Sequence, residues 1–176
     1  FTVNVGKLQL VLLDVFREGH LPSTLNVLDC GVGSATTAIG IADFLLTLGD
    51  VCDLHGEPFP VKDLSLRGLD ASRSALSFSQ EVLQAFSSSL HGRSQASDAG
   101  SDSASEIVSA ALENAEWELL DLNTHTPDRK QQQSLVASNV FNELNPDGRG
   151  NLAEMVGTTD HDSIAILIEP GDQKSC

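Results

Sequence analysis

Residues 24–36, with the sequence TLNVLDCGVGSAT, constrain the fold of this chain more than any other stretch. A short apolar run meets Asp29, and the turn Gly31-Val32-Gly33 follows at once. Apolar residues at helical spacing continue over residues 36–48, so the pattern predicts a strand, a tight turn and a helix. Glycine lets a backbone approach a ligand closely, and the start of a helix directs free N–H groups to the same place. The stretch therefore predicts a cofactor-binding turn.

Strand-like and helix-like segments alternate along the rest of the chain. Predicted strands cover residues 25–28, 64–69, 116–120, 135–137 and 164–168. Predicted helices cover residues 7–18, 36–48, 76–90, 106–114 and a stretch from about Asn139 or later. Because the central strands are continuous apolar runs, we expect an α/β fold, a doubly wound and mainly parallel sheet with helices on both faces. The length of 176 residues predicts a single domain over 1–176.

Two stretches interrupt this alternation. Residues 87–105 are dominated by Ser, Ala, Gly and Asp, which predicts a low-complexity and mobile surface insertion. Residues 50–62 contain one glycine and two prolines, so we expect a loop there, after a helix that Gly49 would cap. The later segment Asn145-Pro146-Asp147 is typical of a turn.

Polar residues follow the predicted strands at the point where each strand ends. They are Asp29, Asp70, Asp121, Ser138 with Asn139, and Glu169. The carboxyl ends of parallel strands share one rim of a sheet, and ligands bind at that rim where the strand order reverses. The sequence therefore predicts one polar site at this rim.

Composition excludes several classes of function. The net charge of −15 and the pI near 4.4 argue against direct binding of nucleic acid, which requires a basic surface. Three cysteines without a Cys-x-x-Cys pair favour reduced thiols and an intracellular location, cytoplasmic or mitochondrial. No apolar run is long enough to span a membrane, and no secretory signal is evident, so no membrane partner is expected.

Several motifs resemble those of a known family. VLDCGVG at residues 27–33, GLDAS at 68–72 and LLDL at 119–122 are similar to the first three motifs of class I methyltransferases that depend on S-adenosylmethionine (SAM). VASNVFNEL at 136–144 and ILIEPG at 166–171 resemble the methyltransferase-like proteins of the mitochondrial small ribosomal subunit and their bacterial relatives. The family fold has seven strands, whereas five are predicted here, so the last strands are expected to be missing.

The resemblance implies SAM as cofactor and a methyl transfer, with ribosomal RNA or the small ribosomal subunit as partner. Gly31 and Gly33 would pass beneath the methionine part and Asp29 would hold its amino end. Asp70, followed by Ala71, would bind the ribose hydroxyls. Asp121 and Leu122 would hold adenine, and Ser138 and Asn139 would line the reacting centre. No catalytic residue is implied, because a sulfonium methyl group is already activated. No metal ligand is expected either, because the nearest candidates lack the spacing of a known zinc motif: Asp50, Cys52, Asp53, His55 and Glu57.

Each of these roles has a structural alternative, and the function has alternatives as well. Asp70 could be the N-cap of the following helix, Asp29 could make a local bond, and Ser138 with Asn139 could cap a helix. The chain could be a non-catalytic assembly or interaction protein, or a methyltransferase for small molecules, which suits its acidity. An NAD-type oxidoreductase is less favoured. Its acidic residue comes about 20 residues after the glycine motif, whereas Asp70 lies well beyond that distance from Gly33.

Overall fold

A computed structural model describes residues 2–94, 103–127, 133–138, 140–158 and 163–168. Within these ranges helices and strands alternate as the sequence predicts. Their bounds are α1 Thr2–Arg17, β1 Thr24–Cys30, α2 Thr36–His55, β2 Asp63–Asp70, α3 Arg73–Ser94, α4 Ser103–Glu113, β3 Glu116–Leu119, β4 Gln133–Ser138, α5 Pro146–Gly157 and β5 Ala165–Ile168. No helix within these ranges has both the length and the apolar character needed to cross a membrane.

The five strands form one parallel sheet in the order β3-β2-β1-β4-β5. The chain moves outward from β1 to β3 and then returns to the other side of β1 with β4. The order therefore reverses between β1 and β4, where loops leaving the two strands diverge and leave a crevice. This is a Rossmann-like topology, and it confirms the predicted α/β class with a parallel sheet.

The two faces of the sheet are covered by different helices. Successive side chains of a strand point to opposite faces. In β1, Leu25 and Val27 pack in a cluster with α1, α2 and α4, whereas Leu28 packs in a second cluster with Leu152 and Met155 of α5. Helices therefore cover both faces, as predicted.

Helix α2 extends beyond its predicted end. Gly49 is buried inside the helix, and Gly56, with φ of +67°, follows its last residue and donates its N–H to the Asp53 carbonyl. Leu45, Leu48 and Cys52 are all buried, so the apolar face continues for two more turns. The predicted cap at Gly49 was wrong, and so was the predicted loop over residues 50–55, because exposed acidic residues obscure this buried stripe. Over residues 56–62 the predicted loop is confirmed.

The described parts of the predicted insertion, residues 87–94 and 103–105, are helical. Helix α3 continues to Ser94, and α4 begins at Ser103. Phe86 and Leu90 pack against the main core, and Ala104 is fully buried, so tertiary contacts hold these serine-rich segments in helices. The segments 87–94 and 103–105 are thus helical, the mobility expected of the insertion stays a prediction, and residues 95–102 lie outside the described ranges.

Helix α5 begins where the sequence predicted a turn. Asn145 is its N-cap, and the side-chain oxygen accepts a hydrogen bond from the Gly148 N–H at 2.9 Å. Pro146 occupies the first position, where the missing N–H costs nothing. Ser138 lies several residues before this start, so the alternative that it caps the helix was wrong.

Candidate cofactor site

A cleft with two lobes lies at the carboxyl ends of β1, β2, β3 and β4. The first lobe has a volume of about 200 Å³ and the second about 130 Å³. Gly31, Asp70, Val140 and Glu143 line both lobes. The two lobes are therefore neighbouring parts of one crevice, at the reversal of strand order.

The glycine turn forms the floor between these lobes. Gly31 has a φ of +78° and Gly33 a φ of +53°, a region that L side chains rarely adopt. The Gly31 and Val32 N–H groups both donate to the Leu69 carbonyl, at 2.9 and 3.1 Å. The turn after β1 is thereby bonded to the end of β2. A Cβ on Gly31 would lie 2.9 Å from Cγ2 of Val140, so only glycine fits beneath that side chain.

The peptide groups of Gly33 are held from two directions. Its N–H donates to Oδ2 of Asp70 at 3.1 Å, and its carbonyl accepts from the Ser79 hydroxyl at 2.8 Å. Ser79 lies in α3, is fully buried and also lies 2.8 Å from the Ala75 carbonyl. Sequence reasoning missed Ser79, because nothing local distinguishes it from the many other serines of that helix.

Asp70 is bonded to the backbone through both carboxylate oxygens. Oδ1 accepts from the Ser72 N–H at 2.8 Å, and Oδ2 accepts from Gly33. The helix cap is a different residue, since the Ser72 hydroxyl accepts from the Ala75 N–H at 3.3 Å. The alternative that Asp70 caps α3 was therefore wrong. A carboxylate has about four lone-pair positions, so acceptor capacity remains for a ligand in the lobes that Asp70 lines.

Asp29 lies near the end of β1, before the glycine turn, and it is not among the residues that line either lobe. Its side chain is 6% exposed, and Oδ1 accepts a hydrogen bond from the Thr37 hydroxyl at 3.0 Å. The pKa of this carboxyl is raised to about 7, mainly by burial; the Thr37 hydrogen bond offsets part of the increase, and the charge of Asp70 adds to it. Thr37, rather than Asp29, reaches the first lobe. The local bond considered for Asp29 is present, and its contact with a cofactor stays a prediction.

The second lobe combines a carboxylate with apolar side chains. Asp121 and Leu122 line it as predicted, and so does Ala71. Oδ1 of Asp121 accepts a hydrogen bond from the Asn123 N–H at 2.9 Å. Leu122 is buried, with an exposed fraction of 5%. A flat heterocycle with an amino group matches this combination of surfaces.

The first lobe contains residues that the sequence did not single out. Ser138 lines it as predicted, together with Asn4 from α1. Asn139 and Glu169 lie outside the described residues. Val140 and Glu143 follow β4 within a motif that was quoted for its resemblance, but no local pattern indicated that they cover the glycine turn. The packing of α1 on α2 and β5 brings Asn4 to the cleft.

The electrostatic character of the cleft is acidic. Asp70, Asp121 and Glu143 line it, and none of the described lining residues is basic. Larger cavities, of about 390 and 410 Å³, lie along α4, one beside Trp117 and one beside Glu106. Neither lies at the carboxyl ends of the strands or beside the glycine turn, so the smaller crevice is the better candidate for chemistry.

Comparison with known proteins adds no relative to this picture. No protein-family model matches the chain, and no curated protein matches it significantly. Any assignment of function therefore depends on the motifs and on the geometry of the cleft.

Proposed function

We propose that this protein binds SAM in the two-lobed cleft and transfers its methyl group to an acceptor. The observation that carries the proposal is the position of Asp70. It lines both lobes, with the glycine turn on one side and Asp121 with Leu122 on the other. An acceptor-only group at the centre suits a ribose whose two hydroxyls lie between an amino acid and a base.

The dimensions and polarity of the cleft support this arrangement. Lobes of about 200 and 130 Å³ together slightly exceed the lower limit of small-molecule sites, roughly 300 Å³. The methionine part would lie over Gly31 and Gly33 in the first lobe. Adenine would pack on Leu122, with its amino group directed to Asp121. The acidic lining favours a ligand that carries ammonium and sulfonium charges.

The chemistry demands alignment rather than a nucleophile of the protein. The sulfonium group supplies an activated methyl, so correct positioning of the acceptor provides most of the catalysis. Ser138, Val140 and Glu143 border the first lobe and would orient the acceptor beside the bound methyl. The resemblance proposes ribosomal RNA or the small ribosomal subunit as this acceptor or partner. A small acceptor is the alternative that suits the net charge of −15.

One observation favours a second candidate, a non-catalytic methyltransferase-like assembly protein. Both carboxylate oxygens of Asp70 already accept backbone N–H groups, from Gly33 and Ser72. An Asp kept only to hold the glycine turn would need no cofactor. The two candidates differ in a measurable way, because the scaffold alone predicts no affinity for SAM.

The test is calorimetric titration of the full chain with SAM, S-adenosylhomocysteine and NAD. We expect micromolar dissociation constants, about −8 kcal/mol, for the first two and weaker binding of NAD. Asp70→Asn should weaken binding about tenfold or more, since hydrogen bonds to a charged group contribute roughly 1.5–3 kcal/mol. Asp63→Asn is the matched control, because Asp63 is exposed at the opposite end of the same strand.

Each outcome separates the candidates. Failure of the wild-type chain to bind either SAM or S-adenosylhomocysteine would refute the proposal and favour the scaffold. Tighter binding of NAD would instead support an oxidoreductase. If SAM binds, transfer of a labelled methyl group to small ribosomal subunits or to a panel of small acceptors identifies the acceptor class.

A further inference from the structure

We propose that Asn151 and Asn123 are positioning residues that hold the base-binding wall of the second lobe. The inference rests on the proposed function, because it assigns these residues a part in recognising the adenine of the cofactor. Asn151 is absent from the lining of the lobe, so it would act through Leu122. Asn123 would act through the carboxylate of Asp121.

Asn151 connects α5 to two residues of the segment that follows β3, Leu122 and Thr126. Its Nδ2 donates to the Leu122 carbonyl at 2.7 Å. Its Oδ1 accepts from the Thr126 hydroxyl at 3.1 Å. One half-buried amide thus holds a segment of five residues at two points, and the first point is the backbone of the residue that would contact the base.

Asn123 makes the corresponding connection nearer the carboxylate. Its N–H donates to Oδ1 of Asp121 at 2.9 Å, and its Oδ1 accepts from the Asn145 N–H at 2.8 Å. A Cβ on Gly148 would lie 2.6 Å from this Oδ1, so the contact requires glycine at that position. The start of α5 is therefore fitted to the segment that carries Asp121.

The segment 120–126 needs such support. A backbone hydrogen bond links it to the sheet, from the Leu120 N–H to the Asp70 carbonyl at 3.0 Å. The Thr124 and His125 N–H groups then donate to the Asp121 carbonyl, which closes a local turn. Local turns of this kind open at low free energy unless other elements hold them. The Asn151 side chain of α5 and the Asn145 N–H at the start of that helix supply this restraint, so they set where the Asp121 carboxylate lies relative to the lobe.

The experiment compares two ligands that differ at the base. S-adenosylhomocysteine carries a 6-amino group, which can donate a hydrogen bond to a carboxylate. S-inosylhomocysteine carries a carbonyl oxygen at the same position, which a carboxylate repels. Wild-type protein should bind the adenosyl ligand more tightly. In Asn151→Ala this preference should shrink about three- to tenfold, the equivalent of one lost hydrogen bond. Asn114→Ala is the control, since among the described residues the Asn114 side chain bonds to the Ala110 carbonyl, within the α4 segment.

A second variant distinguishes a specific loss of ligand preference from a general loss of stability. Gly148→Ala displaces Asn123 while leaving every hydrogen-bonding group in place, and it should also reduce the preference between the two ligands. In both variants amide exchange should accelerate at Thr124 and His125 but not at Gly31 and Val32, which bond to the Leu69 carbonyl. A merely destabilised protein would lose affinity for the two ligands equally.

The possible failures are distinguishable. A wild type that binds neither ligand would overturn both this inference and the proposed function. A wild type that binds both ligands equally would leave cofactor binding intact and overturn the inference. An unchanged preference in Asn151→Ala and Gly148→Ala, with tight binding retained, would likewise overturn the inference alone.

Discussion

Replacement of Gly31 by alanine tests the contact between the glycine turn and Val140. Gly31 has a φ of +78°, where a Cβ costs roughly 1–2 kcal/mol. The new Cβ would also lie 2.9 Å from Cγ2 of Val140, and overpacking of this kind costs roughly 1–3 kcal/mol. We therefore expect Gly31→Ala to lower the free energy of unfolding by about 2–5 kcal/mol.

Gly33→Ala is the matched control for the backbone part of this cost. Gly33 has a φ of +53°, but the nearest atom to its added Cβ is the Gly31 carbonyl oxygen, at 3.9 Å. Its substitution should thus cost roughly 1–2 kcal/mol, without a packing penalty. Ala35 is a natural precedent, since it adopts a φ of +58° while fully buried.

Urea denaturation of single and double variants separates the two terms. Val140→Ala removes Cγ2, the atom that the added Cβ would meet at 2.9 Å, and keeps the Val140 Cβ, which that atom would meet at 3.0 Å. The double variant should therefore lose less stability than the sum of the single variants, and the difference, a coupling of roughly 0.5–3 kcal/mol, measures the part of the clash that Cγ2 causes. Equal costs for Gly31→Ala and Gly33→Ala, together with additivity in the double variant, would refute the reasoning.

Two further predictions concern side chains around the turn. Burial raises the pKa of Asp29 to about 7, so its native state keeps a proton that the unfolded chain releases, and its contribution to stability declines as pH rises from about 4 through 7. Asp29→Asn should therefore gain stability relative to wild type over that range in urea titrations; a constant difference would contradict this. Ser79→Ala leaves the Gly33 carbonyl without that donor, so it should cost roughly 1–3 kcal/mol. In the same assay Ser88→Ala, whose hydroxyl bonds within α3, should cost less.

Several elements were predictable because their signals are local. Runs rich in apolar residues mark β1, β4 and β5, whereas β2 and β3 alternate apolar with polar residues. Four of the polar residues at the strand ends, Asp29, Asp70, Asp121 and Ser138, lie where the parallel topology requires. The end of α2 was not predictable in the same way. Two glycines, Gly49 and Gly56, offer equivalent caps, and the choice depends on whether Cys52 finds a buried position.

The start of α5 shows the same division. Asn145-Pro146 is compatible with a turn and with a helix N-terminus, since both use an Asx side chain followed by proline. The close approach of Gly148 to Asn123 belongs to the helical arrangement, and Asn123 is distant in the sequence. Local propensity therefore left two structures open, and packing selected one.

The sequence by itself determined the alternation of elements, the glycine turn and the rim on which the polar residues lie. Hydrophobic periodicity and glycine positions are patterns of a few neighbouring residues, so they can be recognised from the sequence alone. Only the tertiary structure decided that Val140 covers Gly31, that Ser79 holds Gly33 and that Asn151 holds Leu122. These contacts join residues far apart in the chain, and their formation depends on how helices pack on the sheet, which no local pattern encodes.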